Sequence, residues 1–242
     1  MLSSKLKIYA VLPAFNESGK VGRVVEKIRQ TNFDGPIIVV DDCSTDNTSD
    51  EAKEAGAVVL RHEKNRGVGA AIRTGIKYGL ENNLDVCTIL SSDDQHEPKE
   101  IGRVLSPIIE DEYDLVQGSR RMSGGKVVND RMFRRITTQL YSGLFSLLVG
   151  RHITDATNGF RAFRLTIFSY PEFIINQDWL DRYELEPYIL FKAIKNKQIR
   201  FKEVPITIYY HAEAKQYTKM KPFRDWWKLA RPLVFLGLKI KK

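Results

Sequence analysis

The sequence is poor in cysteine and in long apolar runs, and each shortage bears on the class of protein. Of its 242 residues only Cys43 and Cys87 are cysteines, which is too few for a disulfide framework and indicates a reducing, cytosolic setting. The longest apolar runs, residues 144–149 and 233–238, fall far short of the roughly 20 residues that a membrane-spanning helix needs. Residues 1–15 lack the apolar core and small-residue cleavage site of a signal peptide. We therefore expect neither a disulfide-stapled secreted domain nor a membrane-spanning protein.

The amino-acid composition is ordinary except for its net charge. The chain is 43% hydrophobic and 28% charged, as expected of a soluble globular protein, and is long enough for one large α/β domain or two small ones. Its net charge is +8 and its pI is about 9.4. Such a balance favours anionic partners, which include phosphates, nucleic acid and membrane surfaces.

Segments with strand-like and helix-like apolar patterns alternate regularly through the first 120 residues. This rhythm predicts right-handed βαβ units and a mostly parallel sheet. After residue 120 the pattern changes to a basic, glycine-containing loop at 120–130, a long helix at 131–149 and a short strand that ends at 164. A helix at 182–198 and a strand at 200–210 follow. The five strands predicted in the first half are residues 7–12, 36–40, 57–61, 85–90 and 113–119.

Polar residues gather where the predicted strands end. Ligands of parallel α/β sheets bind outside the carboxyl ends of the strands, so these residues are expected to converge on one rim. Asp93 and Asp94 are adjacent there, and adjacent carboxylates repel each other unless a cation or solvent relieves them. The segments at this rim are residues 13–17, 41–42, 91–96 and 118–120.

The motifs LPAFNES, VVDDCSTDNT, NRGVGAAIRTG, DDQHEP, GSR and DATNGFRAFR together resemble the family 2 glycosyltransferases of GT-A fold. Within that family the chain is most similar to the polyprenyl-phosphate (dolichyl-phosphate) mannose and glucose synthases. The resemblance covers residues 8 to about 225. It implies one α/β domain, a GT-A-like (Rossmann-like), mostly parallel sheet flanked by helices. Residues 1–120 would be the nucleotide-sugar half, 121–222 the acceptor half and 223–242 a basic amphipathic helix on the membrane surface.

The resemblance implies a nucleotide-sugar site on the first two strand ends. Glu17 would accept hydrogen bonds from the ribose or the base, and Asp42 would read the ribose or the base edge. The alternative is a capped helix start, with Asn16 as cap and Glu17 favoured by the helix dipole. Residues 65–75 open a helix with glycines, which suits an anion or, alternatively, close helix packing. The predicted nucleotide contacts are Pro13, Ala14, Asn16, Glu17, Asp42, Arg66, Gly67 and Asp93.

The stretch SSDDQHEP resembles the family's Asp-x-Asp-x-Gln-His motif, with one departure. Aligned on Gln95 and His96, the second aspartate is Asp93, and Ser91 stands where the family has its first. Asp93 and Gln95 would together reach Mg²⁺ or Mn²⁺, while Asp94 falls on the wrong side of the chain. The alternative is a solvated acidic turn. We expect His96 to be a structural partner rather than a ligand.

The resemblance also implies an acceptor site in the second half. A phosphate acceptor is already largely dianionic and needs cations, whereas a hydroxyl acceptor needs a base. Asp155 would lie near the acceptor; alternatively it is a buried structural carboxylate, for instance holding Arg161. Of Glu184 and Glu186, at most one should point at the site. The predicted acceptor-binding residues are Arg120, Arg134, Arg135, Thr138 and Lys219; the catalytic set is Asp93, Asp155, Arg134 and Arg135.

The tail combines Trp226 and Trp227 with lysine and arginine at helical spacing. This pattern favours a membrane interface, and the alternative is a terminal helix docked on its own domain. We therefore expect a cytoplasmic protein, peripheral to the membrane, that uses an anionic membrane surface as a partner.

The activity implied is an inverting transfer of mannose or glucose from GDP-mannose or UDP-glucose to a polyprenyl phosphate at the cytoplasmic membrane face, with Mg²⁺ or Mn²⁺ as cofactor. One alternative is transfer to a sugar hydroxyl of a glycan, with Asp155 as base. Another is a non-catalytic nucleotide- or membrane-binding protein. A sugar-nucleotide pyrophosphorylase is disfavoured because PAFNES replaces its lysine-ended glycine loop. The acidic rim and the lack of a basic-aromatic RNA motif argue against nucleic acid.

Overall fold

The computed structural model describes residues 6–210, 224–238 and 240. These residues form nine strands and seven α-helices around one large sheet. The strands are β1 (Ile8–Ala14), β2 (Ile37–Asp41), β3 (Val58–Arg61), β4 (Val86–Ile89), β5 (Leu115–Ser119), β6 (Lys126–Val128), β7 (Arg161–Arg164), β8 (Phe201–Pro205) and β9 (Thr207–Tyr209). The helices are α1 (Val21–Arg29), α2 (Thr48–Glu54), α3 (Val68–Glu81), α4 (Ile101–Glu110), α5 (Met132–Val149), α6 (Leu185–Lys195) and α7 (Arg224–Gly237).

The central sheet has seven strands in the order β3-β2-β1-β4-β7-β5-β8. All neighbouring pairs are parallel except those of β7, which runs antiparallel to both β4 and β5. Phe163 of β7 lies opposite Cys87 on one side and Leu115 on the other. The predicted mostly parallel sheet is therefore confirmed. The strand predicted to end at residue 164 takes the position between β4 and β5.

A second, two-stranded sheet forms from segments predicted otherwise. The region 120–130, predicted as a loop, contains β6, and the predicted strand 200–210 is divided into β8 and β9. β6 and β9 pair in parallel, and His96 bridges to Ile208. The chain changes sheets at Ile206, whose N–H donates to Ser119 O. This small sheet lies against the carboxyl end of β4 and so helps to enclose the rim.

The core is built from both faces of the central sheet. β2 is buried at all five positions, as its β-branched sequence predicts for a strand covered on both faces. On one face lie the buried sides of α1 and α4, and on the other α3, α5 and α6 pack against the strands. The predicted apolar face of α1 is confirmed, since Val21, Val24, Val25 and Ile28 are all buried.

The last helix, α7, packs against α5 and α6. Leu236 is buried in the core on that side, and the Arg231 guanidinium pairs with Glu184. The docked arrangement that the sequence left as an alternative is therefore present over this part of α7. Among the described helices none combines the length and the apolar character needed to cross a bilayer. The predicted acceptor residue Lys219 lies outside the described residues.

Candidate active site

The loops that follow β1, β2, β4 and β5 meet at one edge of the central sheet. Pro13 and Ala14 are the last residues of β1, and the Ser92 hydroxyl after β4 donates to Pro13 O at 2.7 Å. Because these strands are parallel, the polar residues after them lie side by side, as predicted. The rim therefore assembles the predicted nucleotide and metal residues from segments far apart in sequence.

The loop after β1 is locked to the loop after β2. Asn16 has a positive φ of 52°, donates its N–H to Ser44 Oγ, and accepts from Thr45 N through its side chain. Glu17 donates its N–H to Thr48 Oγ1 at 2.8 Å and pairs with Lys20. Asn16 is thus not the cap of α1, which begins at Val21 without a side-chain cap. Its role is to join two loops of the rim.

Asp42 anchors the glycine-rich loop that precedes α3. Its two carboxylate oxygens accept the N–H groups of Arg66, at 2.8 Å, and Gly67, at 2.6 Å. The His62 ring nitrogen Nδ1 lies 2.7 Å from the same carboxylate. Asp42 is only 3% exposed, so the structure gives it partners inside the protein rather than a free face for a nucleoside. The sequence carried no signal for this contact.

The start of α3 is covered by a loop from the second half of the chain. Asp181 O accepts the N–H of Ala70 at 2.9 Å. A Cβ on Gly69 would lie 2.1 Å from Leu180 O, and Gly67 adopts a φ of 110°. The glycines therefore permit close packing, which was the alternative prediction. The N–H groups of Arg66, Gly67 and Ala70 are taken by protein oxygens instead of an anion.

A cavity of about 1010 Å³ lies beside this loop, beyond β3. Arg66, whose residue is exposed, is the member of the predicted nucleotide set that lines it. The other predicted nucleotide and metal residues lie outside its lining. Five basic side chains face three carboxylates there, so the cavity is positively charged overall. Its charged lining consists of Arg61, Lys64, Arg66, Arg182, Arg231, Glu63, Asp178 and Asp181.

The acidic loop after β4 separates its two aspartates. Asp93 is partly exposed and accepts the Gln95 N–H at 3.1 Å. Asp94 has a φ of 64° and is buried against α1, with Lys27 Nζ at 2.6 Å. Asp94 is therefore directed towards α1, away from Asp93. In the described ranges no cluster of three or more histidine, cysteine or acidic side chains is placed to bind a metal.

His96 joins the acidic loop to the motif DATNGFRAFR. Its Nδ1 accepts the Ser91 N–H at 2.9 Å, so its proton lies on Nε2, which donates to Asn158 Oδ1 at 3.0 Å. Burial lowers the pKa of His96 to about 4, which keeps the ring neutral near pH 7. Both ring nitrogens are therefore used within the protein, which agrees with the expected structural role. Ser91, where the family pattern has aspartate, lies against this ring, with its hydroxyl 3.1 Å from Nδ1.

Asp155 is fully buried and paired with Arg120. The guanidinium donates from Nε at 2.6 Å and from Nη2 at 2.8 Å, and the backbone N–H of Arg120 adds a third bond. Burial by itself would raise the pKa of Asp155, but Arg120 and these hydrogen bonds hold it below its ordinary value. Asp155 is therefore the structural carboxylate of the second prediction, although its partner is Arg120 and not Arg161. Arg120 is 7% exposed, so its setting differs from the acceptor-facing one predicted.

The first turns of α5 present the remaining predicted acceptor residues. Arg134 stacks over the Tyr210 ring, with 4.0 Å from its Cζ to the ring centroid, and Arg135 is exposed. Thr138 Oγ1 donates to Arg134 O at 2.8 Å, so the two residues share a helix face, as predicted. Arg121, another of the basic residues that precede Asp155 in the sequence, pairs with Asp130 at 2.5 Å beside Thr138.

The two glutamates before and within α6 point differently. Glu184 is fully buried and pairs with Arg231. Burial raises the pKa of Glu184, although the charge of Arg231 by itself would lower it. Glu186 is partly exposed, pairs with Arg161 at 3.3 Å, and lies beside Gly159 near His96. Of the two, only Glu186 is thus partly exposed and near His96, which is compatible with the expectation that at most one points at the site.

The mostly parallel sheet, with one antiparallel strand and an acidic rim, has the arrangement that the resemblance to GT-A glycosyltransferases implied. The chain belongs to glycosyl transferase family 2, whose family model matches residues 9–170. It is an enzyme, a glycosyltransferase of that family, as the motifs predicted.

Relatives with assigned activities are similar over most of the chain. A UDP-N-acetylglucosamine–dolichyl-phosphate N-acetylglucosaminyltransferase of Methanococcus voltae is 33% identical over 84% of this chain and 86% of its own. An undecaprenyl-phosphate mannosyltransferase of Micrococcus luteus is 31% identical over 66% of this chain and 67% of its own. A dolichol-phosphate mannosyltransferase of Pyrococcus furiosus is 29% identical, over 91% of this chain and 62% of its own. The predicted resemblance to polyprenyl-phosphate sugar synthases is confirmed.

The fold also matches solved structures. Glucosyl-3-phosphoglycerate synthase of Mycobacterium tuberculosis, crystallised with Mn²⁺, uridine diphosphate and phosphoglyceric acid, superposes with a TM-score of 0.68. The match covers 97% of this chain and 78% of the other, at 18% sequence identity. At this identity the likeness establishes the fold, and the GT-A prediction is confirmed.

Proposed function

We propose that this enzyme transfers a sugar from a nucleoside diphosphate sugar to a polyprenyl phosphate, with inversion at the anomeric carbon. The observation that carries the proposal is the division of roles between Asp155 and α5. Asp155 is buried in an ion pair with its pKa lowered, so it is a poor base for a hydroxyl acceptor. Arg134, Arg135 and Thr138 instead lie together at the start of α5 and suit a phosphate.

The reaction is a single displacement. An oxygen of the acceptor phosphate forms a bond to the anomeric carbon, and the bond from that carbon to the nucleoside diphosphate breaks. The diphosphate leaves with the electron pair. No proton has to be removed, because a phosphate monoester is largely dianionic at neutral pH. This requirement for cations and not for a base matches the groups that α5 presents.

The acidic loop fits a divalent cation in part. Asp93 offers one partly exposed carboxylate, and Mg²⁺ commonly takes one or two carboxylates with substrate phosphates completing its shell. Gln95 is the second predicted ligand, while Ser91 faces His96. We propose that Asp93, with Gln95, holds Mg²⁺ or Mn²⁺. The metal would neutralise charge on the departing diphosphate.

Which nucleotide sugar is the donor is a separate part of the proposal. The named relatives act on different sugars, since two are mannosyltransferases and one transfers N-acetylglucosamine. GDP-mannose and UDP-glucose are therefore joined by UDP-N-acetylglucosamine as candidates. Glu17 and the exposed Arg66 are the residues we assign to the nucleotide.

We also propose that the enzyme works at the cytoplasmic face of a membrane as a peripheral protein. One face of α5 supports this location. Its side chains Phe133, Ile136, Leu140, Leu144 and Leu147 repeat at helical spacing and are 49–81% exposed. If Arg134 holds the phosphate of the lipid acceptor, the polyprenyl chain attached to it starts within one helical turn of this apolar face. The basic chain would at the same time be attracted to anionic lipids.

The deciding experiment measures release of nucleoside diphosphate from each of the three donors. Purified protein is incubated with the donor, a short-chain polyprenyl phosphate, and Mg²⁺ or Mn²⁺. We expect release that depends on both the lipid phosphate and the metal. In the Asp93→Asn variant, the release that depends on metal should be lost. The Asp94→Asn variant, changed on the loop's other side, should keep it. Release that requires a glycan instead, or none with any donor, would refute the proposal.

A further inference from the structure

Tyr210 is a buried aromatic residue to which neither the sequence motifs nor the proposed reaction gives a role. It directly follows β9 and is 5% exposed. Its backbone is fixed on both sides, because its N–H donates to Val128 O at 3.1 Å and its carbonyl accepts from Asn129 Nδ2 at 2.8 Å. The backbone that carries the ring is therefore held by β6 and by Asn129, which follows it.

The two ends of this side chain contact two different arginines. The hydroxyl accepts a hydrogen bond from Arg120 Nη1 at 2.7 Å. The ring face carries the guanidinium of Arg134, 4.0 Å from its centroid, which is a close cation–π contact. Arg120 is itself immobilised by Asp155, and its Nη2 also donates to Thr157 Oγ1 at 2.5 Å. A continuous series of contacts thus runs from a fully buried carboxylate to an arginine on α5.

We infer that Tyr210 is a positioning residue for the acceptor phosphate, acting through Arg134. The inference rests on the proposed function, because it concerns how that reaction's acceptor is received. An arginine side chain has several rotatable bonds, and holding it before the ligand arrives reduces the entropy lost on binding. The ring fixes the guanidinium plane, and the buried Arg120–Asp155 pair fixes the ring. Asp155 therefore serves the acceptor as a remote support and not as a base.

The test compares Tyr210→Leu, which removes ring and hydroxyl, with the isosteric Tyr210→Phe, which removes only the hydroxyl. The neighbouring Tyr209→Leu is the matched control, since Tyr209 is 37% exposed. We expect Tyr210→Leu to raise the KM for a short polyprenyl phosphate about tenfold and Tyr210→Phe about threefold. The KM for the donor and the affinity for nucleoside diphosphate should stay at the wild-type values, as should every parameter of the control.

Combining each Tyr210 change with Arg134→Ala distinguishes positioning of Arg134 from a general structural effect. If Tyr210 acts through Arg134, neither change at Tyr210 should alter the acceptor KM further in that background. The inference is overturned if the increase is the same with and without Arg134, if the donor KM rises in parallel, or if Tyr210→Leu behaves as wild type. Should the leucine variant fail to fold, the phenylalanine variant decides by the same comparison. Wild-type enzyme that neither binds nor glycosylates polyprenyl phosphate would refute the proposed function and this inference with it.

Discussion

At the scale of single residues, the structure changes the meaning of several side chains that the motifs brought forward. Asp42 and Asp155 are both buried and hydrogen-bonded within the protein, Asp42 to the loop before α3 and Asp155 to Arg120. Carboxylates in a glycosyltransferase motif need not touch substrate. Here Asp42 fixes two backbone N–H groups and Asp155 fixes the Arg120 guanidinium.

Replacing Asp155 by asparagine should therefore destabilise the protein. The change leaves the buried Arg120 without its counter-charge, and breaking a buried pair typically costs about 3–5 kcal/mol of unfolding free energy. Urea denaturation of Asp155→Asn measures this loss. Asp50→Asn is the matched control, because Asp50 pairs with Lys53 on the surface and should change stability by less than about 1 kcal/mol. A normally stable but inactive Asp155→Asn would instead favour the base of a hydroxyl-acceptor mechanism.

His96 should make stability depend on pH between about 4 and 6.5. Its folded pKa lies at about 4, below the ordinary 6.5, so the unfolded chain binds the extra proton first as pH falls. Its contribution, about 3 kcal/mol at most, is complete above pH 6.5 and is lost towards pH 4. Glu184, with its raised pKa, acts in the opposite direction in part of this range.

The comparison of wild type with His96→Gln isolates the histidine. Unfolding free energies of both proteins are measured across this pH range, and the variant should show the flatter profile. His152→Gln, at an exposed position, serves as control and should follow the wild type. Parallel profiles for wild type and His96→Gln would show that the ring is not held neutral.

At the scale of elements, the strands and helices of the first half could be predicted from sequence, and their partners could not. β2 and α1 follow directly from their apolar patterns. The insertion of β7 between β4 and β5 leaves no such mark, because an apolar strand has the same pattern whichever neighbour it joins. The split of residues 201–209 between two sheets was missed for the same reason.

The contact of α3 with the loop at 180–182 gives a prediction about elements. Gly69→Ala should reduce unfolding free energy by about 1–3 kcal/mol, because the added methyl would collide with two backbone carbonyl oxygens. Gly102→Ala, in α4 with open space around it, should stabilise the protein by roughly 0.5–1 kcal/mol. Urea denaturation of both variants checks the difference. Equal effects would mean that the loop does not press on α3.

At the scale of the whole molecule, the exposed face of α5 predicts binding to lipid vesicles. Leu140→Glu with Leu147→Glu should reduce co-sedimentation with vesicles of phosphatidylcholine and phosphatidylglycerol at least tenfold, because both side chains would leave the apolar layer. Leu80→Glu with Ile109→Glu is the control, since both are 48% exposed and lie on other helices. Binding that is equal for both pairs would contradict the proposed membrane face.

An exposed apolar face can also join two copies of a chain. Light scattering on the same variants tests for such a dimer. If the α5 variant converts a dimer to a monomer and leaves vesicle binding intact, the surface joins two copies of the chain. We expect instead an unchanged oligomeric state and lost vesicle binding.

The sequence by itself determined the fold class and the family, and it predicted the place of the site. Alternating apolar segments require a parallel sheet, and polar residues after its strands must then share one edge. Only the tertiary structure decided which groups those residues contact. Asp155 is paired with Arg120, Asp42 with the loop before α3, and Arg134 with Tyr210. Each partner is a single side chain or loop distant in sequence, and a periodic pattern records which face is buried but not which group lies across from it.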